Sequence, residues 1–191
     1  MPELIFASKS PTKLEILKNT GLKFRVEESN FDESQPPSQN PAEVVKYLAL
    51  GKARAVAKRN PDAVVIGTDT IIFHQNKIVG KPKDEADAKA MLKSYCGRFH
   101  TCYTGIALVR GSEEAVDVSS VNVFFRNLTD LEIDNYIATK EPFGKAGAYA
   151  YQYQGAALIE RMEGDYYAAL GMPVFKLCSL LRKFGVNPLQ P

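Results

Sequence analysis

Tryptophan is absent from this 191-residue chain, and cysteine and histidine are scarce, with three and two copies. Cys96, Cys102 and Cys178 are odd in number and lack Cys-x-x-Cys spacing, which supports neither a disulfide framework nor a zinc site. His74 and His100 have no local metal-binding spacing and read as structural or exposed residues. No apolar run approaches the roughly 18 to 20 residues of a membrane span. The opening Met1-Pro2-Glu3-Leu4-Ile5-Phe6 is too short an apolar stretch for a signal peptide, so a cytoplasmic location is expected. A formal net charge of +2 is too small to imply nucleic acid or an acidic membrane as partner. Apolar residues at 45% and charged residues at 24% are ordinary proportions, and they place the chain among globular proteins. With no repeat or low-complexity tract, residues 1–191 read as a single domain large enough to bury a core.

What is present alternates between strand and helix signals. Leu4 to Ala7 reads as a short buried strand. Ser10-Pro11 reads as an N-cap with proline at the first helical position, and Gly21 stops that helix. Phe24 to Glu27 is a second strand signal, followed by a polar, proline-containing stretch from Phe31 to Asn40. Asn40-Pro41 opens the longest helix, to about Arg59, with Val44, Val45, Leu48, Ala49, Val56 and Ala57 on one side. Ala63 to Gly67 and Thr70 to Phe73 are strand-like. Asp84 caps a helix stopped by Gly97, and Thr101 to Val109 and Ala115 to Phe125 read as adjacent strands. Thr129-Asp130-Leu131-Glu132 is a capping box for a helix ending near Lys140. A strand near Ala156 to Met162 and a helix from Pro173 to Phe184 follow. The expected class is α/β with a mixed sheet, because some strand pairs are separated by turns and others by helices.

Several segments carry chemistry. Ser8-Lys9-Ser10-Pro11-Thr12-Lys13 joins a strand to a helix N-terminus, where free N–H groups and the helix dipole favour an anion. An ordinary solvated cap is the alternative. Gly67-Thr68-Asp69-Thr70 interrupts two apolar runs, and a carboxylate there is costly to bury unpaired. Asp69 is therefore either functional or a residue of a tight turn. Gly80-Lys81-Pro82 is no Walker A loop, since the required spacing glycine and the Ser or Thr are missing, leaving Lys81 as a point charge. Asp32-Glu33 offers oxygen ligands for a hard cation such as Mg²⁺, or is simply solvated. Gly51 costs its helix about 1 kcal/mol against alanine, which points to a close approach beside Lys52. Tyr149, Tyr151, Tyr153, Tyr166 and Tyr167 form an aromatic region suited to packing, or to stacking on a base. There is no Gly-x-Ser-x-Gly elbow or dinucleotide fingerprint.

The order of these segments resembles the Maf family of nucleotide pyrophosphatases. Ala7-Ser8-Lys9-Ser10-Pro11-Thr12-Lys13 is similar to its N-terminal signature, Ala-Ser-x-Ser-Pro-Arg-Arg. Asp32-Glu33-Ser34 resembles its acidic loop, Leu48-Ala49-Leu50-Gly51-Lys52-Ala53 its lysine helix, and Gly67-Thr68-Asp69-Thr70 its Gly-Ala-Asp-Thr motif. Gly80-Lys81-Pro82, His100 to Gly105, Lys145 to Gln152, Glu163 to Tyr167 and Leu170-Gly171-Met172-Pro173 follow in family order. The resemblance implies an elongated mixed sheet with flanking helices and a cleft between two lobes, similar to the inosine-triphosphate pyrophosphatases. It implies hydrolysis of nucleoside triphosphates between the α and β phosphates, a divalent metal cation (Mg, Mn or Co) as cofactor, and a homodimer. Carried over by motif, Asp69 is the catalytic base, Glu33 and Asp69 bind the metal, and Ser8, Lys13, Lys52 and Lys81 hold phosphates. Thr12, Thr70 and Gln152 fall at positions of substrate choice. Thr70 and Gln152 resemble the branch acting on dTTP, UTP and related pyrimidine nucleotides, whereas the 7-methyl-GTP branch carries Gly-Ser-Asp-Gln and a glutamate. Thr12 departs from the usual arginine.

Readings of other kinds stay open at this level. A non-enzymatic cell-division regulator would not need Asp69, Glu33 and the lysines together. A nucleic-acid binder would carry a broader basic surface. A purine-type, inosine-triphosphate-like pyrophosphatase would share the reaction class.

Overall fold

The computed structural model describes residues 2–34, 36 and 38–189. Gln35 and Pro37, within the polar stretch expected from Phe31 to Asn40, lie outside the described residues. Among the described residues seven strands and six α-helices follow one another as β1 (Leu4–Phe6), α1 (Pro11–Asn19), β2 (Arg25–Val26), α2 (Pro41–Ala57), β3 (Val64–His74), β4 (Lys77–Val79), α3 (Glu85–Tyr95), β5 (Phe99–Arg110), β6 (Glu113–Phe125), α4 (Asp130–Ala138), β7 (Ile159–Glu163), α5 (Tyr166–Ala169) and α6 (Val174–Lys183). The strands form one mixed sheet in the order β2-β1-β3-β5-β6-β7, with β4 added to β3. β1 runs parallel to β2 and β3, while β4 and β7 are antiparallel to their neighbours. The expected α/β class with a mixed sheet is the one found.

Two differences from the sequence reading matter. β3 is a single strand of 11 residues, not two strands with a turn at Gly67 to Asp69. The turn reading of Asp69 is thereby overturned: the carboxylate sits in the strand interior. β4 and the one-turn helix α5 carried no signal strong enough to separate them from their surroundings. The hairpin joining β3 to β4 turns through Gln75 (φ 49) and Asn76 (φ 60), so the left-handed residues are not the glycines that usually announce such a turn.

The chain packs as two compact units. The first comprises Met1–Thr70, Tyr103–Ser120 and Asp165–Pro191, the second Ile71–Cys102 and Val121–Gly164. In the first unit the period-two geometry of the strands sorts side chains to two faces. Val64 and Ile66 of β3, with Ile106 and Leu108 of β5, join Leu17, Met172, Leu177 and Leu181 in one core layer against α1 and α6. Val65 of β3 and Ala107 and Val109 of β5 point the other way, onto Ala49, Ala53 and Val56 of α2. The α2 side is lined with small residues, so helix and sheet approach closely. A Cβ on Gly67 would lie 2.2 Å from the Ala49 carbonyl oxygen, and one on Gly105 2.2 Å from that of Val45. Glycine at these two strand positions lets the α2 backbone rest on β3 and β5.

In the second unit a buried aromatic cluster gathers Tyr95, His100, Phe125 and Tyr149. Tyr149 is thus a core residue, while Tyr153, Tyr166 and Tyr167 are exposed. Both histidines are buried: His74 Nε2 meets the Ser94 carbonyl at 3.1 Å, and His100 Nε2 meets the Tyr149 hydroxyl at 2.8 Å. Desolvation, helped by His74, pushes the His100 pKa down to about 3. The folded protein therefore keeps His100 neutral at pH values where the unfolded chain, near its ordinary pKa of about 6.5, takes up a proton. Stability should fall as pH drops from about 6.5 toward 3, at up to about 1.4 kcal/mol per pH unit from this residue. Urea unfolding of wild type and His100→Gln between pH 4 and 7 checks this. The variant should show a shallower acid slope, and parallel slopes would contradict the assignment.

Candidate active site

The candidate site is built where β3, α1 and α2 bring charge together in the first unit. Asp69 lies on the same face of β3 as Gly67, which is the face that rests on α2. Lys52 sits in α2 near Ala49 and Ala53, the residues that Gly67 approaches. The close helix–sheet contact therefore sets Lys52 Nζ against Asp69 Oδ1 at 2.5 Å, with both side chains 12% exposed. A second carboxylate reaches the same ammonium: Glu33 Oε1 lies 2.9 Å from Lys52 Nζ. Desolvation alone would lower the Lys52 pKa, but the charge and hydrogen bond of Asp69, joined by Glu33, outweigh it and hold it above the ordinary lysine value.

Glu33 belongs to a loop, and its placement depends on Gly51. A Cβ at Gly51 would fall 2.2 Å from Phe31 Cζ, so the bare helix surface is the seat of the Phe31 ring. That ring also packs edge-on to Tyr47 of α2, with centroids 5.5 Å apart. Phe31 thus fastens the loop one residue from Lys52 and two residues ahead of Glu33. This is the close approach that a glycine inside a helix signals. Asp32 turns away into a local bond, accepting from the Ser34 N–H at 2.9 Å, which lowers its pKa.

Lys13, in the first turn of α1, supplies the second cation. Its Nζ donates to the Thr68 carbonyl at 3.4 Å. Desolvation pushes its pKa down to about 8; Asp69 and Glu33 raise it and Lys52 lowers it further. Lys13 is packed against the turn after α5: a Cβ on Gly171 (φ 89) would meet Lys13 Cε at 2.5 Å and Thr70 Oγ1 at 2.9 Å. Ser8, in the segment after β1, is half-buried and its Oγ accepts from the Ser10 N–H at 3.3 Å. Ser10 is the N-cap residue of α1 with Pro11 following, as expected, although its own side chain makes no capping bond. Thr12 is half-buried in α1. On the opposite face of β3 from Asp69, buried Thr68 donates from Oγ1 to the Gly171 carbonyl at 2.8 Å. Thr70 Oγ1 lies 2.8 Å from Thr104 Oγ1.

Of the expected site residues, the structure therefore brings Lys13, Glu33, Lys52 and Asp69 into one cluster of two cations and two carboxylates. Lys81, exposed in the segment after β4, and Gln152, half-buried in the turn that follows Tyr149, belong to the second unit. Phe31, Thr68 and Thr104 were not singled out from the sequence, though the unexplained Gly51 pointed at the first. A cavity of about 680 Å³ lined by residues including Glu3, Lys23, Arg25 and Asn187 contains none of this cluster. The arrangement suits a polyanion: two ammonium groups to neutralise it, and a strand-held carboxylate beside them to accept a proton.

Fold and site together define an α/β protein with a lysine–carboxylate centre. The chain belongs to the Maf-like protein family, whose model matches residues 3–184. It is 43% identical to the dTTP/UTP pyrophosphatase of Pelotomaculum thermopropionicum over 191 residues, covering 99% of this chain and 100% of that one. It is 44% identical to the dTTP/UTP pyrophosphatase of Symbiobacterium thermophilum over 185 residues, covering 97% and 95%. Among solved structures, a HAM1 protein from Coxiella burnetii matches with a TM-score of 0.54 at 15% identity, covering 96% of this chain and 100% of that one, a likeness of fold.

The Phe31 seat gives a direct test. Alanine at position 51 gains about 1 kcal/mol of helix propensity over glycine, which offsets the lost ring contact. Gly51→Ala is therefore expected to keep its melting temperature within a few degrees while the Phe31 ring leaves the helix. Nuclear Overhauser contacts between Phe31 and Tyr47 should disappear; their survival would show that the ring does not need the glycine.

Proposed function

We propose that the protein is a nucleoside triphosphate pyrophosphatase acting on dTTP and UTP, releasing the monophosphate and pyrophosphate. The observation that carries this reading is the convergence of Asp69 and Glu33 on Lys52, with Lys13 beside them. It occurs in a chain whose full-length relatives at 43% and 44% identity are named dTTP/UTP pyrophosphatases. The family match runs through both units, which supports treating residues 1–191 as one domain of this family.

A triphosphate repels an attacking water until its charge is neutralised. Lys13 and Lys52 supply two positive charges for this, and Ser8 a hydroxyl; Lys81 is assigned to phosphate holding by its motif. Lysine acts here as a point charge rather than a bidentate fork. Lys52 is held on Oδ1 of Asp69, which leaves Oδ2 to accept the proton of water. The water oxygen then bonds to the α-phosphorus, the bond to the bridging oxygen breaks, and pyrophosphate departs with that oxygen.

A divalent cation fits the residues present. Asp69 and Glu33 already share one cation, the Lys52 ammonium, so two carboxylate oxygens face a common positive centre. Among the described residues no cluster of three or more His, Cys, Asp or Glu is found. Two carboxylates completed by substrate phosphates are the usual donor set of Mg²⁺, rather than a cage made wholly of protein. Glu33 and Asp69 would hold such an ion, whose contribution would be to neutralise phosphate charge.

Substrate choice is assigned to Thr12, Thr70 and Gln152. Neutral Gln152 can both donate to and accept from a uracil or thymine edge, where a carboxylate would instead suit a cationic base. Among the described residues no helix is long and apolar enough to cross a membrane. A homodimer is proposed on the family resemblance, and a cytoplasmic location on the composition of the sequence.

Two measurements test this reading. Purified protein with Mg²⁺, Mn²⁺ or Co²⁺ should convert dTTP and UTP to monophosphate and pyrophosphate, and Asp69→Asn should lower turnover by about 10² or more while remaining folded. Diphosphate plus orthophosphate on chromatography would refute the bond assignment, and near-normal turnover of Asp69→Asn would refute the base. In competition assays wild type should prefer UTP over 7-methyl-GTP, and Gln152→Glu should shift the ratio toward the methylated base. A loss that is equal on every nucleotide would show that Gln152 does not read the base.

A further inference from the structure

Thr104 of β5 is 1% exposed and stands beside Thr70 on the face of the sheet opposite α2. Its Oγ1 makes two bonds, to the Ala168 carbonyl of α5 at 2.7 Å and to Thr70 Oγ1 at 2.8 Å. A hydroxyl has one proton to give, and a carbonyl oxygen only accepts. Thr104 therefore spends its proton on Ala168, and the bond between the two threonines must be donated by Thr70. The proton of Thr70 is committed inward, so this hydroxyl can offer a ligand only its oxygen lone pairs. Ala168 is itself fixed: the turn after α5 is tied back to β3 by the bond from Thr68 to Gly171. The polarity of Thr70 is thus set by a chain of buried partners and not by free rotation of its own hydroxyl. Thr70 is half-buried, directly follows Asp69, and keeps an accessible edge.

We propose that Thr104 is a positioning residue that locks Thr70 as a hydrogen-bond acceptor, and that the bound nucleotide meets Thr70 with an N–H or O–H donor. This deepens the reading of the site as one for uracil and thymine nucleotides, and rests on it. Two groups shared by dTTP and UTP have the required chemistry, the imide N–H of the ring and the sugar 3′-hydroxyl; the 2′-hydroxyl of UTP is absent from dTTP. Phosphate oxygens, deprotonated at neutral pH, do not. A site that presents an acceptor to a donor rejects an analogue lacking the donor, because the acceptor is then left unpaired.

The test measures kcat/KM for UTP, 3-methyl-UTP, which lacks the imide N–H, and 3′-deoxy-UTP, which lacks the hydroxyl. It uses wild type, Thr104→Val and Thr104→Ser. Wild type should lose about five- to tenfold on one analogue, the scale of one hydrogen bond, and the analogue affected identifies the donor. Thr104→Val frees the Thr70 proton, so it should lose about that factor on UTP and little on the same analogue. A steric penalty from the added methyl group would persist in both proteins and so overturn an imide assignment. Thr104→Ser retains both bonds and should behave as wild type. The wild-type comparison stands without any variant: equal rates on all three nucleotides would overturn the proposal. A Thr104→Val protein slowed alike on all three would overturn it too, by reducing Thr104 to support of α5. Absence of pyrophosphate release from UTP by wild type would be a different failure, that of the underlying reading, and would remove the proposal with it.

Discussion

A carboxylate buried in the middle of a β-strand must be compensated, and the ion pair between Asp69 and Lys52 is the compensation on which this site depends. Leaving one partner of such a buried pair alone costs about 3–5 kcal/mol, a large share of the stability of an ordinary domain. The pair can form only because α2 lies directly on β3 and β5, and α2 can lie there only because Gly67 and Gly105 present no side chain to it. Packing and chemistry are therefore one arrangement. The same small-residue contact that closes one face of the first unit also measures the distance from the helix lysine to the strand carboxylate.

The two faces of β3 divide the work. Asp69 faces α2, where it shares Lys52 with Glu33, and the Glu33 loop is held by a Phe31 ring that occupies the gap left by Gly51. Thr68 and Thr70 face the other way and are bonded through hydroxyls to the turn after α5 and to Thr104. Alternation along one strand thus sets the Asp69 carboxylate on one face and the Thr68 and Thr70 hydroxyls on the other, where the Lys13 side chain packs beside Gly171 and Thr70.

The sequence made most of the architecture legible. Caps and stops placed α1 to α4 within a few residues, because proline at N1, a capping box and terminal glycines act locally. It missed α5 and β4, which are too short to show a period, and it divided β3 at Gly67, where a glycine chosen for helix contact looks the same as one chosen for a turn. The candidate site was legible through the order of its motifs. Lys13, Glu33, Lys52 and Asp69 are each unremarkable alone, since a lysine in a helix and an acid in a loop are usually solvated.

By itself, then, the sequence determined the class of fold and the ends of most helices. Tertiary structure decided that Asp69 is a strand residue and not a turn residue, that Gly51 seats Phe31, and that Glu33 and Asp69 share one lysine. It also decided that the hydroxyl of Thr70 meets that of Thr104, which donates to the Ala168 carbonyl. The division has a physical cause. Capping, proline and periodicity act over about four neighbouring residues, so one dimension records them. A buried charge or hydroxyl is settled by partners between 17 and 103 positions away, which only the folded chain brings within reach.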